Sequence, residues 1–194
     1  LQCAHTLEKP YREAFVKNRY VGRTFIMPNQ KERVSSVRRK LNPMKTEFKG
    51  RNVLIVDDSI VRGTTSMEIV AMAKDAGAKK VYFASAAPPI RYNHIYGIDL
   101  TDNKNLIAYN KSEDEVAKAL GCEKVIFQTL NDLIDCCKNK EIDKFEVGVF
   151  TGNYVTGVED GYLQELERVR ALNKVQQVAQ KSEVDVGLYN LCEN

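Results

Sequence analysis

The chain has 194 residues and a mass of 22.0 kDa, the size of one domain with a small appendage. Hydrophobic residues make up 43% and charged residues 28%, an ordinary globular mixture that excludes a wholly disordered or collagen-like chain. Lys plus Arg number 29 against 26 Asp plus Glu, so the net charge of +3 does not call for a polyanion wrapped around the whole molecule.

In chain order, residues 1–9 are ambiguous and suit the end of a helix, and 11–16 alternate loosely, as in a short strand. Residues 18–41 form a long, weakly periodic stretch interrupted by Pro28-Asn29 and closed by Asn42-Pro43. Eight of the bases fall between Lys17 and Lys40, against one acid, Glu32, which points to a local anionic ligand. A long structureless stretch in a compact domain is usually disordered or a functional lid.

Val53 to Val56 is continuously apolar and β-branched, and predicts a fully buried parallel strand. A polar loop follows, and Thr64 or Thr65 can cap a helix to about Ala76, stopped by Gly77. Val81 to Ala84 predicts the second strand of a βαβ unit, ended by Pro88-Pro89. Ser112 and Glu115 have capping-box spacing, with Gly121 as the stop. Val125 to Phe127 predicts a strand. Residues 129–138 predict a helix with Leu130, Leu133, Ile134 and Cys137 on one face. Phe145 to Phe150 alternates like a strand. Residues 161–181 read as a helix with Leu163, Leu166, Val169, Leu172 and Val175 inward, before a loose tail.

No apolar run exceeds the five residues Ile69 to Ala73, against roughly 20 for a membrane-spanning helix, and no signal peptide is visible. The cysteines are Cys3, Cys122, Cys136, Cys137 and Cys192, without a C-x-x-C pair, so a disulfide framework or tetrahedral zinc site is not expected and a reduced, cytoplasmic setting is. The chain begins at Leu1 rather than Met, and is expected to be a piece of something longer.

The chemistry concentrates in VLIVDDSIVRGTTS, Val53 to Ser66. Apolar residues carry the chain through a sheet and release it at the carboxyl end, where open α/β sheets bind ligands. The loop and helix start offer backbone N–H groups and a partial positive charge suited to a phosphate, with hydroxyls on Thr64, Thr65 and Ser66 and close approach at Gly63. Asp57 and Asp58 would repel that phosphate. They suit the vicinal hydroxyls of a ribose, or a hard cation such as Mg²⁺. Neighbours in a strand face opposite ways, so both aspartates can meet one sugar only because the strand ends there. Together the string describes a phosphorylated ribose. An Asp pair after a strand also occurs in receiver-domain Mg²⁺ pockets and nucleotide hydrolases, but neither a Walker A string nor G-x-G-x-x-G is present.

This string resembles the phosphoribosyl-pyrophosphate (PRPP) signature of type I phosphoribosyltransferases. KNRYVGRTFIMP (17–28), SVRRKL (36–41), AGAKKVYFASAAP (76–88) and IFQTLNDLID (126–135) extend the resemblance to the glutamine PRPP amidotransferase family, over residues 9–163. The fold implied is α/β, a mostly parallel sheet flanked by helices, with a helical C-terminal part. The division expected is a partial phosphoribosyltransferase core at 1–110, including a lid at 17–41, and a C-terminal part at 111–194.

The resemblance implies a pentosyl-transferring enzyme that puts glutamine-derived ammonia on C1 of PRPP and releases pyrophosphate, the first step of de novo purine synthesis. It implies that Asp57 and Asp58 hold the ribose hydroxyls and Mg²⁺, and that Ser59, Arg62, Gly63, Thr64, Thr65 and Ser66 line the 5-phosphate loop. Lys17, Tyr20, Arg23 and Lys40 would serve pyrophosphate and closure. Purine nucleotides would be feedback inhibitors of a cytoplasmic homo-oligomer with no nucleic-acid or membrane partner.

Two departures bear on this. The family's glutaminase half uses an N-terminal cysteine, whereas Cys3 is internal here, so that half and the pyrophosphate loop are expected to lie outside the chain. The cysteine spacing predicts no iron–sulfur cluster, although some members carry one. A non-catalytic PRPP-binding regulator is the alternative, and no helix-turn-helix pattern supports it. The basic run, taken as composition alone, also suits a solvated face or a nucleic-acid patch.

Overall fold

The computed structural model describes residues 1–18, 37–38, 40–98, 103–159, 161–163, 165–166, 168–169 and 172. Gln2–Thr6 form α1, and Phe15–Lys17 form β1 at the end of the loosely alternating stretch. Val37, Arg38 and Lys40 are helical and lead straight into β2, Leu41–Pro43. Asn42-Pro43 was expected as a closing turn, but it lies in a strand that pairs antiparallel with β1, Lys17 opposite Leu41 and Phe15 opposite Pro43. Proline is tolerated there because this two-stranded ribbon is all edge. Lys45–Phe48 form a one-turn helix, α2. Its Phe48 is buried and meets the Phe15 ring at 5.1 Å, seating the ribbon on the main core.

That core is built by β3 (Asn52–Asp57), α3 (Thr64–Asp75), β4 (Lys80–Ser85), α4 (Glu113–Leu120) and β5 (Lys124–Phe127). The strands form a parallel sheet in the order β3-β4-β5, with Ile55 opposite Phe83 and Phe83 opposite Val125. Alternate residues face the two helices: Val81, Phe83 and Val125 are fully buried against Val70 and Ala73 of α3 and Val116 of α4. Burying a side chain of that size contributes about 1.5–3 kcal/mol, so this one face supplies the main cohesion.

The other face is open. Leu54 is 39%, Val56 54% and Ile126 45% exposed, which corrects the expectation of a fully buried β3. A continuous apolar run is what a strand covered on both faces needs, but α3 and α4 pack on the same cluster and cover only one.

A segment with no clear periodicity completes the core. Leu106, Ile107 and Ala108 follow a 3₁₀ turn at Asn103–Asn105 and are buried. The Arg91 guanidinium holds this segment by donating from Nη1 to the carbonyls of Ala108 (3.0 Å) and Lys111 (3.1 Å).

The capping box of α4 forms. Ser112 Oγ accepts from the Glu115 N–H at 3.3 Å, and Glu115 accepts from the Ser112 N–H at 2.8 Å. The Ser112 N–H, and then the Ser112 hydroxyl donating to Glu115 Oε2 at 2.9 Å, hold the Glu115 carboxyl below its ordinary range. A depressed carboxyl adds stability above its unfolded pKa and loses it as pH falls through the folded value. Ser112→Ala in the full-length protein is expected to cost about 1 kcal/mol near neutrality. In melting curves the gap to wild type should narrow in acid.

Leu130–Cys137 form α5, with Thr129 capping the first turn through Asp132 N–H at 3.1 Å. Its Leu130, Leu133 and Ile134 are half-buried and Cys137 is exposed. The alternation at Phe145–Phe150 does not become a strand. Gly148–Thr151 turn as a short helix, α6, because the Glu146 carboxylate accepts from Gly148 N–H at 2.6 Å and left-handed Gly152 ends the turn.

The chain divides into two compact units, residues 1–152 and 153–194. Within the first, β5 pairs with β4 in the parallel sheet. In the second, Tyr162, Leu163, Glu165, Leu166, Arg168, Val169 and Leu172 are helical. Leu163 and Leu166 are half-buried, but Val169 and Leu172, expected inward, are exposed. Val175 lies outside the described residues. Among the described residues no helix is long and apolar enough to cross a membrane.

Candidate functional site

Strand β3 ends at Asp57, whose carbonyl still accepts from Ala86 N–H at 2.9 Å while its side chain leaves the sheet. Asp57 Oδ1 accepts from Asp58 N–H at 3.0 Å, and Asp58 Oδ1 accepts from the Ser59 hydroxyl at 3.0 Å. Asp57 is half-buried and Asp58 exposed. Burial pushes the Asp57 carboxyl up, opposed by the Asp58 N–H and reinforced by the Asp58 charge. The two carboxylates therefore stand side by side at the carboxyl rim of the sheet, one drawn inward and one in water.

The loop is then pinned. Ile60 is fully buried, and Val61 O accepts from Ile107 N–H at 2.9 Å. Arg62 is half-buried. Gly63, not Thr64 or Thr65, is the N-cap of α3, and its φ of +78° turns the chain into the helix. The left-handed region is open to glycine and costs other residues. As cap, Gly63 brings no side chain to the first turn of α3, so backbone N–H groups present the positive end of a 12-residue helix. Of the three hydroxyls, Thr64 (7% exposed) and Ser66 (3%) are buried, and Thr65 is exposed.

The remaining candidates fall on the ribbon. Lys17 ends β1, exposed, and Lys40, half-buried, precedes β2. Pairing of β1 with β2 brings them together, and Asn18 N–H donates to Lys40 O at 2.7 Å. Tyr20 and Arg23 lie outside the described residues. Sequence reasoning missed how the ribbon meets α3: Arg38 Nε donates to Glu68 Oε2 at 2.8 Å, and Arg38 Nη1 lies 3.5 Å from Asp75. It also missed Ile107 as the residue behind Gly63. Arg38 stood within the quoted SVRRKL, but nothing marked its partner.

Among the described residues no group of three or more His, Cys, Asp and Glu could hold a metal ion. Two neighbouring carboxylates do fit a hard divalent cation that takes its other ligands from water and a phosphorylated substrate.

Over 190 residues the chain is 79% identical to the amidophosphoribosyltransferase of Lachancea kluyveri, covering 98% of the chain and 37% of that protein. Nearly the whole chain is thus similar to part of an amidophosphoribosyltransferase. It is 74% identical to the Saccharomyces cerevisiae amidophosphoribosyltransferase, across 100% of the chain and 38% of that protein. The chain thus spans well under half the length of these relatives. Among solved structures, the glutamine PRPP amidotransferase of B. subtilis complexed with ADP and GMP matches with a TM-score of 0.69 and 38% identity. That match covers 82% of this chain and 36% of that one. The parallel sheet and flanking helices are accordingly those of a type I phosphoribosyltransferase. No family model matches the chain.

Proposed function

We propose that the full-length protein containing this chain moves ammonia, derived from glutamine, onto C1 of PRPP. It releases pyrophosphate and forms 5-phosphoribosylamine, the first step of de novo purine synthesis. One observation carries this reading: a parallel strand ends in two carboxylates, and a glycine-capped helix start follows seven residues on. That combination suits a diol beside a phosphate. The amidophosphoribosyltransferase relatives support the same reading.

In this reading Asp57 and Asp58 accept hydrogen bonds from the ribose hydroxyls. Ser59, Arg62, Gly63, Thr64, Thr65 and Ser66 form the loop around the 5-phosphate, the N–H groups supplying most contacts and Thr65 the exposed hydroxyl. Nitrogen bonds to C1 as the C1–O bond breaks, and its electron pair leaves with pyrophosphate. Positive charge builds on the sugar beside Asp57 and Asp58. Negative charge builds on pyrophosphate, where Lys17 and Lys40, with Tyr20 and Arg23, stabilise it. Asp57 and Asp58 would hold Mg²⁺, and a divalent cation there would supply charge neutralisation. The enzyme so read is a cytoplasmic homo-oligomer without an iron–sulfur cluster, and purine nucleotides are its feedback inhibitors. ADP and GMP in the B. subtilis structure support the last point.

Isothermal titration of PRPP into the full-length protein, with and without Mg²⁺, tests the site. Binding is expected to depend on Mg²⁺ and to be lost in Asp57→Asn. Binding indifferent to both would reduce 57–66 to a structural turn.

A further inference from the structure

We propose that Arg38 is a positioning residue: its fork on Glu68 and Asp75 of α3 holds the two ribbon lysines in register with the start of that helix. The inference rests on the reading of Lys17 and Lys40 as groups that stabilise departing pyrophosphate. It adds what aims them.

Three features converge on Arg38. Nε donates to Glu68 Oε2 at 2.8 Å and Nη1 reaches Asp75 Oδ2 at 3.5 Å, so one guanidinium spans two turns of α3. Glu68 and Asp75 are seven residues apart, and Thr64 is four before Glu68, so all three share a stripe of the helix. The clamp therefore grips the stripe that begins at the first residue of the phosphate loop's helix. Next, Val37 is 3% exposed, so the residue beside Arg38 is sunk in the protein while Arg38 lies along the surface. Finally, Lys40 is two residues on, and Leu41 pairs with Lys17. Arg38 thus stands two residues from Lys40 and, through the β1–β2 pairing, close along the backbone to Lys17.

A buried valine anchors without direction, because apolar burial is non-directional. A guanidinium hydrogen-bonded to Glu68 and ion-paired with Asp75 sets rotation as well as distance. The Glu68 side chain is only 16% exposed, against 50% for Arg38, so the acid that receives the 2.8 Å bond is itself held in place. That bond, and then the Glu68 charge, raise the Arg38 pKa. Exposed ion pairs add little to stability, so the clamp's effect belongs in turnover rather than in melting.

The test uses the full-length enzyme with Arg38→Met, Glu68→Gln and the double variant. Small misplacement of a catalytic group is costly, so each single variant is expected to lose about tenfold or more in kcat. Affinity for ribose 5-phosphate, which lacks the departing group, should change less than about twofold, and the melting temperature should barely move. The double variant should be no worse than the worse single one, because both remove one contact. Arg38→Lys, which keeps the charge and loses the fork, should recover part of the rate, and stands in if Arg38→Met fails to fold. Unchanged kcat in either single variant, losses that multiply in the double, or losses that track melting would overturn the clamp. Asp57→Ala separates this from the underlying reading. If it leaves PRPP turnover intact, the site assignment has failed. If it abolishes turnover while Arg38→Met does not, only the clamp has failed.

Discussion

Asp57→Ala and Asp58→Ala in the full-length enzyme are each expected to lower kcat/KM for PRPP by about 2–4 kcal/mol, roughly 30- to 800-fold. In the proposed reading each removes a charge-assisted acceptor for the sugar hydroxyls and half of the carboxylate pair. The two should differ in how they fail. Asp58 is exposed, so its loss leaves the fold alone. Asp57 is half-buried, and its carboxyl is pushed up because burial disfavours the charge. A carboxyl raised in the folded state destabilises the fold once pH rises through its pKa. Asp57→Asn keeps an oxygen for the Asp58 N–H and removes the buried charge. In magnesium-free buffer near neutrality it should therefore melt no lower than wild type, while PRPP turnover collapses. Steady-state kinetics and melting on the same samples check this. Unchanged kcat/KM in both alanine variants would remove the aspartates from the site.

Gly63→Ala is expected to cost about 2–4 kcal/mol of stability and to weaken PRPP binding with it. Two penalties add. At φ +78° an L-residue pays for the left-handed region. A Cβ there would also collide with Ile107 Cδ1, and would lie 3.2 Å from Ile107 Cγ1 and 3.3 Å from Leu120 Cδ2. Ile107 has little room to retreat. It is 6% exposed, and its N–H holds Val61 O in the same loop. Relief would push on the turn at 61–63, which the proposed reading gives to the phosphate. Gly121→Ala is the control, with φ +74° and nothing near its Cβ, so it pays the conformational part alone. Denaturant melts of the two should differ by the steric part. Equal losses would show that Ile107 yields freely.

Much of this was legible from the residues, because the βαβ unit speaks in local signals. A β-branched run, a glycine and a helical repeat sit in order within one stretch, and each acts through its neighbours in sequence. Burial was less legible. Val56 is apolar whether or not anything covers it, and only the placement of α3 and α4 on one face left it 54% exposed. Thr64 and Thr65 read as caps because a hydroxyl is a visible capping signal, whereas the cap here is Gly63, which carries no side chain and adopts a positive φ. The 106–108 segment has no period to read, since it is held by the Arg91 guanidinium and by Val61 rather than by its own repeat. The meeting of Lys17 with Lys40, and of Arg38 with Glu68, depends on long-range pairing that no local window contains.

The apolar face left exposed on the sheet shares a strand with the aspartate pair. Among the described strands β3 pairs on one side only, and Leu54 and Val56 lie on its uncovered face while Asp57 stands at its tip. Burying those two side chains against another surface would remove apolar area from water, so covering that face would stabilise the strand that carries Asp57.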